Sequence, residues 1–207
     1  MVSRGRARND LMVEVFEMIL ADLKERTKTL HAQTELAFAL DQRLATRDSY
    51  VALLSRMLGF YAPLEPRMPD AVGARELGFD LQEREKTSLL RADLSALGLS
   101  PAEISAIPNC SRLPQIPRVA NLFGCLYVLE GSTLGGQIIR REVHRRLGFT
   151  ADNGCAFFAG YQDKTATAWR QFGEALTRYS VGHPQEQEQI VGTAAETFQR
   201  FEEWVAC

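Results

Sequence analysis

Cysteine is sparse and scattered. Cys110, Cys125, Cys155 and Cys207 form no CxxC pair. Paired-cysteine zinc and redox motifs are therefore excluded, and free thiols in a reducing compartment are the expectation. Charge of one sign is lacking too. The formal net charge is −2 and the pI is about 6.0, which excludes a chain that binds nucleic acid over its whole surface. A long apolar run is missing as well. The N-terminus, MVSRGRARND, is basic, but Glu14, Glu17 and Asp22 interrupt the next apolar residues, so no signal-peptide core forms. No uninterrupted apolar stretch approaches the length of a membrane span. The expectation is a cytoplasmic protein with no membrane or nucleic-acid partner. No Gly-rich dinucleotide turn, no internal repeat and no convincing strand alternation occurs.

What remains is 207 residues, 45% of them apolar, enough for one large domain. The apolar spacing is helical throughout. The expected class is an all-α single domain over residues 10–207, after a disordered basic tail at 1–9. Asp10 is the expected cap of a helix over 11–39, with a break near Asp22. Thr46 or Asp48 starts the next helix, which Pro63, Pro66 and Pro69 end or kink. Residues 70–85 read as turns, and a helix over 83–97 stops at Gly98. Ser100-Pro101 opens a helical turn. Residues 116–147 form a second long helix interrupted by glycines, and 154–160 connect it to a helix over 161–180. Gly182-His183-Pro184 is a turn before the last helix.

The first informative stretch is LKERTKTLHAQTEL, residues 23–36. Helical spacing puts Lys24, Lys28, His31 and Glu35 on one stripe. A lone His on a helix is most often structural. In this company it has another use: a neutral imidazole is a good ligand for heme iron. The two ammonium groups can meet the carboxylates at a porphyrin's edge. Glu35, one turn on, can steady the imidazole.

The second stretch is LYVLEGSTLGGQIIRR, residues 126–141. Gly131, Gly135 and Gly136 sit in a helical pattern, and each costs roughly 1 kcal/mol against Ala. Close helix packing through small residues is the ordinary explanation. The alternative is backbone laid against a flat ligand, with a kink to clear it. Ser132 and Thr133 add hydroxyls. Taken together, the stretches describe a sandwich, with an iron ligand on one helix and bare backbone on the other.

LKERTKTLHAQTE and YVLEGSTLGGQ resemble the proximal and distal helix motifs of the biliverdin-producing heme oxygenases, in their bacterial branch. TRDSYVALLSRMLGFYAPLE is similar to that family's second helix and TFQRFEEW to its closing helix. The resemblance implies heme held between a proximal and a kinked distal helix. By position, His31 matches the iron ligand, Glu35 the residue beneath it and Lys24 a cation paired with a propionate, with Lys28 beside it. Tyr127 matches a propionate-binding tyrosine of some bacterial members. Gly131, Gly135 and Gly136 match the distal glycines. Ser132 stands where the mammalian pattern has an Asp that organises water, so the proton route must differ.

The implied reaction is oxidative cleavage of heme by O2 to biliverdin, carbon monoxide and ferrous iron, with heme as both substrate and cofactor. With no dinucleotide motif present, electrons come from an external ferredoxin or reductase. Two other readings stand beside this one. One is a heme-binding protein of the same fold that stores, transfers or senses heme without turnover. The other is a heme-free helical enzyme, such as a thiaminase-like or non-heme metal oxidase. Arg140, Arg141, Arg145 and Arg146 form a basic patch that is either a solvated face or a dock for an acidic donor. His144 reads as a surface residue, His183 as a turn residue before Pro184 and not an axial ligand, and Phe198, Phe201 and Trp204 as core.

Overall fold

A computed structural model describes residues 3–68 and 79–206, with side chains from Met18 onward. The expectations placed on Pro69 and on residues 70–78 lie outside the described residues. Helix α1 spans Ser3–Phe38. It begins well before the expected cap, because RGRAR contains mostly good helix formers and no proline. It also runs through Asp22 unbroken. That carboxylate is not a breaker: it accepts from Gln187 on the last helix at 3.3 Å and lies 3.7 Å from Arg26.

A short α2, Leu40–Arg43, leads to α3, Arg47–Leu64. Of the two expected caps, Thr46 serves. Its hydroxyl accepts from the Ser49 N–H and the Ser49 hydroxyl accepts from the Thr46 N–H. Pro63 lies within the last turn, and α3 then tightens into a 3-10 turn over Glu65–Arg67. Helix α4, Thr87–Ala96, is followed by α5, Pro101–Ser105, opened by a Ser100/Glu103 capping box. Helix α6, Val119–Leu147, is continuous, so its glycines do not interrupt it. A four-residue α7, Ala156–Ala159, forms in the expected connection. Helices α8, Thr165–Gly182, and α9, Gln187–Ala206, complete the chain. Among the described residues there is no strand.

Helix α6 is the central element. Its apolar composition and length would permit a membrane span, yet more than half of the relevant window is buried against other helices. It packs on α9, α8 and α7, while α1 packs on α8 and α9. Helices α8 and α9 thus form a shared floor under α1 and α6. Tyr50, Phe60, Phe123 and Phe172 are fully buried in the surrounding core. The α6–α9 crossing is very close. A Cβ on Gly124 would lie 2.2 Å from the Ile190 carbonyl oxygen.

Asp93 on α4 holds α7 in place. Its carboxylate accepts from the N–H groups of Ala156 at 2.7 Å and Phe157 at 2.8 Å. Burial nevertheless raises its pKa from 3.8 to about 6. The folded chain therefore holds this proton more tightly than the unfolded chain. The stabilising contribution is complete below about pH 4 and is lost as pH rises through about 6. Asp93→Asn is expected to remove this dependence. The advantage of wild type over the variant in Tm should grow as pH falls from about 6 to 4; a constant difference across that window would contradict it.

Candidate active site

Helices α1 and α6 meet at Thr27 and Tyr127. Thr27 is buried, and its hydroxyl donates to the Leu23 carbonyl at 2.7 Å. The Tyr127 hydroxyl lies near it; burial raises the Tyr127 pKa, and the Thr27 hydroxyl opposes the rise. One turn further along α1 is His31, and one turn further along α6 is Gly131. The two halves of the candidate site are thus each one turn beyond the residues where α1 and α6 come close. His31 is 60% exposed, with its ring 5.5 Å from that of Phe198 on α9. Gly131 faces Trp169 on α8, whose ring a Cβ would meet at 3.7 Å. Tyr127 also lies against Trp169, with ring centroids 6.1 Å apart.

The α1 stripe forms as the spacing predicts, and Lys24, Lys28, His31 and Glu35 are all exposed. His31 Nε2 is 3.5 Å from Glu35 Oε1. A carboxylate at one imidazole nitrogen leaves the other as the lone-pair donor. Lys28 is 3.9 Å from Glu25 on its own helix, a solvent-exposed pair. The other two histidines lie off this stripe. His183 Nδ1 lies 3.1 Å from the Tyr179 carbonyl and the ring stacks on Tyr179, while His144 is exposed near the end of α6.

The distal glycines do not act as one group. A Cβ on Gly135 would meet nothing within 4 Å, whereas one on Gly136 would lie 3.2 Å from the Phe158 carbonyl oxygen of α7. The three glycines matched to the distal motif therefore do not share one face, since neighbours on a helix point about 100° apart. Leu134, Gly135 and Ile138 form the open face, with Gly131 at its edge against Trp169, and Leu134 and Ile138 are exposed apolar residues. Gly136 instead permits close packing of α7. Ser132 is exposed; its hydroxyl donates to the Leu129 carbonyl at 2.7 Å and sits beside the hydroxyl of Tyr61. Thr133 is buried and donates to the Glu130 carbonyl at 2.6 Å.

The sequence pattern alone did not reveal the ionic cluster behind this face. Glu130 and Arg84 form a buried ion pair at 2.6 Å. The Tyr161 hydroxyl donates to the other Glu130 oxygen at 2.7 Å. Lys86 is also buried, its Nζ 3.5 Å from the Tyr161 ring centroid, and burial lowers its pKa to about 8 against the pull of Glu130. A signal was present: Glu130 falls in register with Phe123, Leu126 and Thr133, on the inward side of an apolar helix. Half of the basic patch on α6 is ion-paired. Arg145 and Arg146 both bind Glu142, whose pKa they lower to about 2, and Arg146 also binds Asp41 at 2.6 Å.

The heme oxygenase family's sequence model matches residues 17–207. The chain belongs to the heme oxygenase family. It is 32% identical over 141 residues to a heme oxygenase of Xanthomonas campestris pv. campestris (strain 8004), covering 67% of this chain and 78% of that relative. The NO- and CO-bound heme oxygenase from Neisseria meningitidis has the same fold. The two superpose with a TM-score of 0.76 at 19% identity, over 90% of this chain and 89% of that one. A heme oxygenase must seat a broad, flat, mostly apolar macrocycle with an anionic edge. The residues fit such a ligand: an exposed imidazole, flanking ammonium groups and an apolar face whose Gly135 has open space before it. Among the described residues, no three His, Cys, Asp or Glu gather where they could hold a bare metal ion. Among those residues, the heme-free metal oxidase reading lacks a ligand set.

Gly135→Ala separates packing from function. With no neighbour within 4 Å, the apo protein should gain stability, by up to about 1 kcal/mol from helix propensity. A methyl on the open face should nevertheless slow heme degradation or alter the isomer formed. Wild-type turnover with unchanged product would show that heme does not approach this backbone.

Proposed function

We propose that heme lies between α1 and α6 with His31 as its iron ligand, and that the protein cleaves it to biliverdin, carbon monoxide and ferrous iron. The reading is carried by one observation: His31 and the open Gly131/Gly135 face each begin one turn beyond the Thr27–Tyr127 contact. Bound heme supplies the iron that reacts with O2 and the meso carbon at which the ring opens. The chain supplies the rest. Glu35 orients the His31 imidazole. Lys24 and Lys28 attract the propionates, and the Tyr127 hydroxyl is a further donor toward them. Gly131 and Gly135 keep side chains out of the space above the ring. The Ser132 hydroxyl, with that of Tyr61 beside it, holds the water that delivers protons in place of a carboxylate. Gly136 acts indirectly, by letting α7 close against α6. Electrons come from a separate ferredoxin or reductase, and the setting is the cytoplasm.

The test is hemin titration followed by a reductant in air. A Soret band should form with one heme per chain, then fade as the solution turns green. A Soret band that persists would make the protein a heme binder without turnover. Failure to form any band would defeat the proposal.

Lys24 and Lys28 are expected to govern seating more than chemistry. Exposed charge pairs contribute roughly 0–1 kcal/mol each, so single substitutions should weaken heme binding less than about fivefold. The Lys24→Ala/Lys28→Ala double variant should change affinity or isomer proportions while the apo melting temperature holds. Identity with wild type in both would leave the stripe as a solvated face.

A further inference from the structure

Arg84 belongs to neither α6 nor α8, yet it binds both. Its Nη1 donates to Glu130 on α6 at 2.6 Å and to the Ala168 carbonyl on α8 at 3.2 Å. Its Nη2 donates to Gln171 Oε1, also on α8, at 3.2 Å. The guanidinium lies 4.4 Å from the Phe79 ring centroid and 5.3 Å from that of Tyr161. Tyr161, just before α8, completes the clamp through its hydroxyl on Glu130. The clamped residues adjoin the Gly131–Trp169 contact on both helices. Glu130 precedes Gly131, Ala168 precedes Trp169, and Gly131 and Trp169 face one another.

We propose that Arg84, through its ion pair with Glu130, is a positioning residue that fixes the spacing of α6 from α8 at the Gly131–Trp169 contact and so the seating of heme. The inference rests on the placement of heme between α1 and α6. Stability alone does not account for the pair, because apolar residues of similar volume commonly replace a buried ion pair without loss. A rigid planar fork with five donors does what an apolar filler cannot. It holds two helices at a set separation and rotation, through bonds of fixed direction. An error of about 1 Å in a reacting geometry can cost roughly a hundredfold in rate.

The experiment uses the full chain labelled with fluorotryptophan, whose two tryptophans, Trp169 and Trp204, give two fluorine resonances. Arg84→Met, Arg84→Lys, Glu130→Gln and the double variant R84M/E130L are compared by apo fluorine NMR, apo melting temperature, turnover and product isomer composition. Arg84→Met and Arg84→Lys should shift the Trp169 resonance and leave that of Trp204 in place. Glu130→Gln, which keeps an acceptor for Arg84, should stay closer to wild type. The double variant should recover the melting temperature yet keep the displaced Trp169 resonance, an altered isomer composition and turnover lowered roughly tenfold or more. Recovery of resonance, isomers and turnover along with stability would overturn the proposal, as would an unmoved Trp169 resonance in a folded Arg84→Met. Should the methionine variants fail to fold, Arg84→Lys against Glu130→Gln decides by the same readouts. The apo resonance is independent of heme, so a wild-type chain that binds no hemin would defeat the heme placement without deciding the clamp.

Discussion

His31→Ala is expected to abolish heme degradation while leaving the apo fold intact. The side chain is 60% exposed, and its neighbours include the Glu35 carboxylate and the Phe198 ring. Losing an exposed side chain of this kind changes stability by roughly 0.5 kcal/mol or less, about 1–2 °C for a chain of this size. The effect on chemistry should be far larger. Without the imidazole no other histidine can take its place, because His183 is held on Tyr179 and His144 lies near the far end of α6. Turnover should fall at least about a hundredfold, equivalent to roughly 2.7 kcal/mol of transition-state stabilisation. The heme spectrum should change in the same variant. Circular dichroism, apo melting and hemin spectra together check this. A variant with a wild-type spectrum and normal turnover would remove His31 from the site.

Gly124→Ala is expected to have the largest effect on stability. Helix propensity favours alanine by about 1 kcal/mol. The crossing with α9 opposes it more strongly, since the new Cβ would lie 2.2 Å from the Ile190 carbonyl oxygen and 2.9 Å from the Ala194 nitrogen. Both are backbone atoms, so no side chain can rotate away, and α9 must shift as a whole. Overpacking typically costs about 1–3 kcal/mol and occasionally more, and a clash with two backbone atoms puts this site at the upper end. The net loss should be at least about 2 kcal/mol, a fall in Tm of roughly 4–8 °C. Because α9 also carries Phe198 beneath His31, hemin affinity should drop as well. An apo melting temperature equal to wild type would show that the helices separate without cost. The contrast with Gly135, where the same substitution meets empty space, is the sharper test when both are made together.

The Glu130 carboxylate shows why part of the site was not legible. Its inward register was visible in the helix pattern, but its partner Arg84 comes from 46 residues earlier, in a segment with no distinctive spacing. Only folding brings the two together. The distal glycines show a second limit. Periodicity says which residues share a face, so Gly131 and Gly135 could be grouped by counting. It does not say which face a neighbour covers, and α7, whose carbonyl fills the space beside Gly136, is too short to show a helical period of its own. Gly124 is silent in the sequence, because a single glycine among apolar residues has no local signature of a helix crossing.

Local chemistry by itself determined the rest. The Thr46 and Ser100 caps, the helical spacing of α3, α8 and α9, and the exposed stripe from Lys24 to Glu35 all arise from side chains acting on their own backbone or on residues one turn away. The two motifs that identify the family lie within single helices for the same reason. Tertiary structure alone decided that α8 and α9 pack against both α1 and α6, that Thr27 and Tyr127 come close, and that a buried Arg84–Glu130 pair stands behind Gly131. Those are contacts between residues far apart in the chain, and what fixes them is the burial of complementary faces, a property of the assembled helices that no single stretch contains.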